Sequence, residues 1–311
     1  MTEQLNIGIR FALYANLMLL FGLPLFGLYA LKGAKRLQDR VLPLRALTGW
    51  LSASGIVLSL LGIAAMTASM AGVELFEVDP ASVSIMIFET SMGNAWTVRM
   101  LALLSTLAAA FGIIGTKSLP KLVFVALGSG VALASLAWTG HGAASEGAAG
   151  TAQLIADVIH LLGAGAWLGA LAALTFMLFR RADAQSDDHL ALTCRLLQRF
   201  AMTGTAIVAL VLGSGLVNSW MLVGPQNLLT LHTTLYGQLL IAKLLLFGFM
   251  LVMAAANRFT LTPALGAGIQ SGGTNRALRN LQMSLIIELS MAAAIISLVA
   301  WLGTLEPPVS R

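Results

Sequence analysis

Residues 157–171 read DVIHLLGAGAWLGAL. Two side chains apart, the stretch is apolar and small, the composition of a helix set among other helices in lipid. The exceptions are Asp157 and His160, one helical turn apart, followed by Trp167. Steps of three and seven residues put all three on one face of a helix. A charged group at mid-bilayer costs about 2.5–3.5 kcal/mol on insertion scales. An acid and an imidazole on one stripe of such a helix therefore face something that compensates for them.

The membrane reading comes from composition. The chain has 311 residues, 58% hydrophobic and 10% charged, with a mean hydropathy of +0.87. A soluble domain carries about 25% charged residues. Eight apolar runs reach the length of about 20 residues that a spanning helix needs: roughly 8–31, 46–71, 95–116, 121–139, 152–179, 198–223, 233–256 and 281–304. The run Ala81 to Phe88 is too short to cross and reads as a surface or re-entrant piece. The first long run, Phe11 to Leu31, exceeds the apolar segment of a cleavable signal and reads as a retained span. No stretch between spans is long enough for a separate folded unit. The expectation is one all-α domain over residues 1–311, an eight-helix transmembrane bundle with no fused periplasmic domain.

Charge sets the orientation. A net charge of +5 and a pI of about 9.8 would suggest nucleic acid in a soluble protein. Here the basic residues lie between the apolar runs. Lys32, Lys35, Arg36, Arg40 and Arg45 occupy the first connection, and Lys117 and Lys121 the third. Arg180, Arg181, Arg195 and Arg199 occupy the fifth, and Arg258, Arg276 and Arg279 the seventh. The even-numbered connections hold no Lys or Arg and carry Glu74, Glu77, Asp79, Glu89 and Glu146 instead. This alternation follows the positive-inside rule and puts both termini on the outer, periplasmic side of a bacterial inner membrane. Gly165 and Gly169, four apart, suit close helix approach, as do Gly213 and Gly215. Pro24 is expected to kink the first span. No internal repeat is evident.

Five ionisable residues lie away from span ends: Arg99, Asp157, His160, Lys243 and Glu288. Depth along the spans pairs Lys243 with Glu288 near the midplane, as a clasp or gate, and Arg99 with Asp157 nearer the outside. Of four histidines, His189 falls in an inner, acidic loop, where a solvated side chain is expected. His141, His160 and His232 all fall on the outer side, the pattern of a metal or cofactor site. Met66 and Met70 share a face of the second span, and Met86, Met92, Met100 and Met221 also fall on the outer side. Imidazole with thioether suits copper, Cu(I) above all. The single cysteine, Cys194, excludes an intramolecular disulfide and a thiolate cluster. No HExxH, Walker, CxxC or serine-triad pattern points to hydrolysis or ATP use. A non-enzymatic role is the expectation.

The motifs together resemble one family. WTGH at 138–141, followed by DVIH at 157–160 and WLGAL at 167–171, resembles the CopD copper-resistance membrane proteins. TSMGNAW at 90–96 with Arg99 looks like the opening of that family's third span. YGQLLIAK at 236–243, with Asn257, Arg258 and Pro263, looks like its seventh span and exit loop. Glu288 and LGTLEP at 302–307 look like its last span and C-terminal end. The resemblance covers nearly the whole chain. It implies copper homeostasis at the inner membrane, moving copper from periplasm towards cytoplasm. It also implies a separate periplasmic CopC-like copper-binding partner, since no such domain is fused here. A homo-oligomer is compatible with this reading.

The site expected on these grounds has His160 and His141 as copper ligands, completed by His232, Met66, Met70 or Met100. Asp157 would accept the His160 N–H and fix its tautomer, Arg99 would balance Asp157, and Trp167 would wall the site from below. The alternative is a membrane redox protein holding haem b or a quinone near the outer face. A Soret band in the purified protein would favour that alternative.

Overall fold

A computed structural model describes residues 2–31, 42–112, 119–139, 147–179, 187–271 and 274–308. Among these residues the chain is helical with no strand. The helices are α1 (Thr2–Tyr29), α2 (Leu44–Ala71), α3 (Pro80–Glu89), α4 (Ser91–Ala110), α5 (Leu119–Ala134), α6 (Gly147–Phe179), α7 (Asp187–Val223), α8 (Leu235–Ala256), α9 (Thr262–Ser271) and α10 (Thr274–Leu302). A short tight turn of helix, Ser135–Thr139, extends α5, and a π-helical turn, Asn257–Leu261, joins α8 to α9.

Seven segments are long and apolar enough to cross a membrane: Glu3–Tyr29, Leu44–Ala71, Leu119–Thr139, Gly147–Phe179, Leu190–Val223, Leu235–Ile269 and Thr274–Leu302. They make the chain a multi-pass membrane protein. The eighth expected crossing corresponds to α4. Its 20 residues give a length of about 30 Å, enough for the hydrocarbon core. It falls short in apolarity, because Ser91, Asn94, Thr97, Arg99, Ser105 and Thr106 interrupt it. The short run at 81–88 lies in α3, whose 10 residues reach only about 15 Å, so it cannot cross.

The caps explain where the outer elements begin and end. Asp79 accepts a hydrogen bond from the Ala81 N–H at the start of α3, with Pro80 in the first turn. Thr90 does the same for α4 through the Gly93 N–H, at 2.9 Å. Both satisfy donors that a helix start leaves open. Gly72, at φ 69°, closes α2 in the left-handed conformation that a side chain would resist. Pro24 lies inside α1, which runs unbroken through it.

The bundle is organised around α1, which packs against α2, α5, α6 and α10. Leu17, Leu20 and Phe26 of α1 are fully buried. Contact with α6 is made by backbone. A Cβ on Gly22 would fall 2.1 Å from the Gly165 carbonyl oxygen and 2.7 Å from the Gly169 Cα. Gly165 and Gly169 thus serve the close approach their spacing predicts. Gly213 does not, since a Cβ there meets open space. Outward-facing Trp50, Leu101, Leu127, Leu216, Leu245 and Val252 are exposed, as lipid-facing positions are in a protein without a water-filled exterior. Buried hydroxyls return their protons to their own helix: Thr67 donates to the Ile63 carbonyl at 2.9 Å and Ser129 to Val125 at 2.6 Å.

Candidate functional site

His160 projects from α6 towards α7. Its Nδ1 lies 3.1 Å from the Val211 carbonyl oxygen and 3.2 Å from the Ser214 hydroxyl. A carbonyl can only accept, so the Val211 contact is a hydrogen bond only when Nδ1 carries the proton. Ser214 gives its own proton to the Leu210 carbonyl at 2.6 Å, which leaves its oxygen as a second acceptor for the same N–H. The neutral ring then presents Nε2 as its lone-pair nitrogen, the form in which an imidazole binds a metal.

Asp157 does not fix that tautomer. Its Oδ1 accepts from the Asn218 amide at 2.6 Å, one turn above Ser214 on the same face of α7. The two site residues of α6, three apart, are therefore matched by Ser214 and Asn218, four apart, on α7. The expected bond from the imidazole to the carboxylate is replaced by two separate attachments to the neighbouring helix.

The cation within electrostatic range of Asp157 is Lys243 of α8, which acts on His160 as well. Tyr236, two turns earlier on α8, stands within electrostatic range of Asp157. Arg99 lies elsewhere. It is buried on α4, which packs on α2, α3 and α5, and its electrostatic neighbour is Tyr14 of α1. Trp167 is buried in the core below His160 and meets Phe247 of α8 edge-on, with ring centroids 5.8 Å apart.

Glu288 and Lys243 are not a pair. Glu288 accepts a hydrogen bond from the Asn257 amide at the π-helical turn. Asn257 lies fourteen residues beyond Lys243 along a continuous helical segment, about 21 Å at 1.5 Å per residue. No lysine side chain closes that gap. Counting depth from each span's end misplaced the partner because α8 runs on past the bend into α9.

The remaining expected ligands that are described lie on separate elements. His141 lies outside the described residues. His232 is exposed in a short helical turn before α8, where its carbonyl accepts from the Gln238 amide at 3.1 Å. Met66 is half-buried and Met70 exposed on α2, and Met100 is half-buried on α4. These two helices pack on each other, and α6 packs on α1, α5, α7 and α10. Neither α2 nor α4 is thus among the principal neighbours of α6. Among the described residues no three His, Cys, Asp or Glu side chains converge on one point. His189 lies within α7, in its first turn.

A family model described as copper resistance protein D-like, N-terminal domain, matches residues 1–151, and one described as copper resistance protein D matches residues 194–302. The chain is also 42% identical over 309 residues to copper resistance protein D of Pseudomonas syringae pv. tomato, covering 99% of this chain and 98% of that one. The chain belongs to the copper resistance protein D family. Within this relationship, inner membrane protein YebZ of Escherichia coli is 29% identical over 97% of the chain and 98% of its own length. Copper transport protein CutJ of Bacillus subtilis is 33% identical over 81% of the chain and 46% of its own length. No solved structure matches the chain. Most of α6, including Asp157 and His160, falls between the two segments that the family models match.

Proposed function

We propose that this member of the copper resistance protein D family binds copper on the outer side of the bacterial inner membrane and passes it towards the cytoplasm. The observation that carries the reading is the held imidazole. His160 is fixed through Nδ1 to α7, its Nε2 is left as a ligand, and Asp157 beside it lies within electrostatic range of Lys243. A soft cation at His160 competes with Lys243 for Asp157, so binding weakens the link between α6 and α8 and loosens the helices below. Lys243 opposes a permanently open cation pore, which makes a carrier the better description than a channel.

His141 or His232 supplies the second imidazole in this reading. Both follow or precede spans on the outer side by the charge alternation, which gives eight crossings with α4 included and both termini in the periplasm. A separate CopC-like periplasmic protein delivers the metal. The chain performs no catalysis.

Metal analysis of purified wild type and His160→Ala tests binding, and copper uptake into sealed vesicles with a lumenal reporter tests movement. Stoichiometric copper that is lost in His160→Ala, together with uptake by the wild type alone, is the result expected. Copper content unchanged in the variant would remove the site, and binding without uptake would make the protein a copper store or sensor.

A further inference from the structure

The five ionisable side chains inside the bundle do not have equal means of compensation. Asp157 and Lys243 lie within electrostatic range of each other. The His160 imidazole can stay neutral, and the Glu288 carboxyl, bonded to Asn257, can take up a proton. A guanidinium cannot shed its charge. Yet Arg99 is 3% exposed, its Nε and Nη1 have no hydrogen-bond partner, and no carboxylate among the described residues acts on it. Buried charges are otherwise paired.

The surroundings of Arg99 are polar and also incomplete. Trp96, three residues earlier on α4, donates its indole N–H to the Ser59 carbonyl at 2.9 Å. Leu103, one turn later, lies 3.2 Å from where a Cβ on Gly55 would be. Because α2 and α4 run antiparallel, Arg99 comes level with Ser59, one turn beyond Gly55. The Ser59 hydroxyl is fully buried and unpartnered. The Oδ1 of Asn16, 2.8 Å from the same Gly55 position, is buried and unpartnered as well. Tyr14 of α1 completes the wedge. The Ser59 hydroxyl and two guanidinium nitrogens are thus donors left open at one uncompensated positive charge, while the Asn16 oxygen, an acceptor, lies one turn away beside Gly55.

We propose that Arg99 holds a small monovalent inorganic anion of chloride size in the wedge between α1, α2 and α4, with the Ser59 hydroxyl as a further donor. One positive charge favours a monovalent anion over a dianion, and the burial of Arg99 keeps a lipid headgroup out. The anion neutralises the guanidinium and ties α4, the least apolar long helix, to α1 and α2. The site is separate from His160 and does not depend on copper.

The test is thermal unfolding of the purified full-length protein in sodium chloride and in sodium gluconate at equal ionic strength. The wild type should unfold roughly 5 °C higher in saturating chloride, the scale of a ligand present well above its Kd. Arg99→Met should unfold at one temperature in both salts. Ser59→Ala keeps the guanidinium, and should raise the half-stabilising chloride concentration roughly tenfold, the worth of one hydrogen bond to a charged group. Equal wild-type midpoints in the two salts, or chloride dependence that persists in Arg99→Met, would overturn the site. If Arg99→Met fails to fold, an unchanged half-stabilising concentration in Ser59→Ala does the same.

Discussion

The Nδ1 of His160 lies 3.1 Å from the carbonyl oxygen of Val211, and that contact decides which nitrogen of the ring is chemically available. With Nδ1–H committed to α7, Nε2 keeps its lone pair and is the atom that would ligate copper in the function proposed. His160→Ala therefore removes the ligand without removing a structural charge. Copper per protein should fall to background in metal analysis, while the circular dichroism spectrum keeps its helical shape.

Gly215 tests the orientation of the ring and not its presence. A Cβ at Gly215 would lie 3.2 Å from His160 Cε1 and 3.5 Å from Nδ1, so Gly215→Ala must push the imidazole by a few tenths of an ångström. Groups that orient a ligating histidine are worth about 10–100-fold in metal affinity. Gly215→Ala should fall at the low end of that range in a copper titration. Gly213→Ala, on the same helix but facing open space, should leave affinity unchanged.

The crossing of α1 and α6 makes a stability prediction independent of copper. A Cβ on Gly169 would fall 2.2 Å from the Gly22 carbonyl carbon, and backbone cannot rotate away as a side chain can. Gly22→Ala or Gly169→Ala must separate the two helices, at a cost of about 1–3 kcal/mol or more. Gly8→Ala on α1, with nothing near it, should be neutral or slightly stabilising. Denaturant titration of the reconstituted protein distinguishes the three.

Much of the fold was legible because apolar length and small-residue spacing are local. The spans follow from hydropathy, and Gly165 and Gly169 announced a close crossing that the structure places against Gly22. α4 was readable as a helix, although Arg99 and its polar neighbours keep it less apolar than the rest. At the site, Asp157 and His160 stood out because charge in an apolar run is conspicuous. Their partners did not, since Val211 contributes only its backbone, which no sequence pattern marks. Ser214 and Asn218 carried a weak signal, two polar residues four apart in an apolar helix, facing an acid and an imidazole at nearly the same spacing. Pairing by depth failed for Glu288 because Asn257, at the end of a span, is an ordinary amide in sequence and becomes the carboxyl's partner only through the bend at 257–261.

Two mutant cycles on one lysine separate its electrostatic partner Asp157 from the partner that depth alone suggested. Asp157→Asn leaves Lys243 facing an amide, and Lys243→Met leaves Asp157 without a cation. Each strands a charge in the bilayer, at about 2.5–3.5 kcal/mol on insertion scales before relaxation. The double variant strands neither, so its loss should be smaller than the sum by about 1–2 kcal/mol, within the range found for groups in direct interaction. Lys243→Met with Glu288→Gln is the contrasting cycle. Glu288 is held by Asn257, far along the helix from Lys243, and well-separated sites add within about 0.3–0.5 kcal/mol. Unfolding of the three single and two double variants in bicelles measures both couplings side by side. A coupling above about 1 kcal/mol between Lys243 and Glu288 would mean that α8 and α10 are offset from the register described, and the partnership of Lys243 with Asp157 would fall with it.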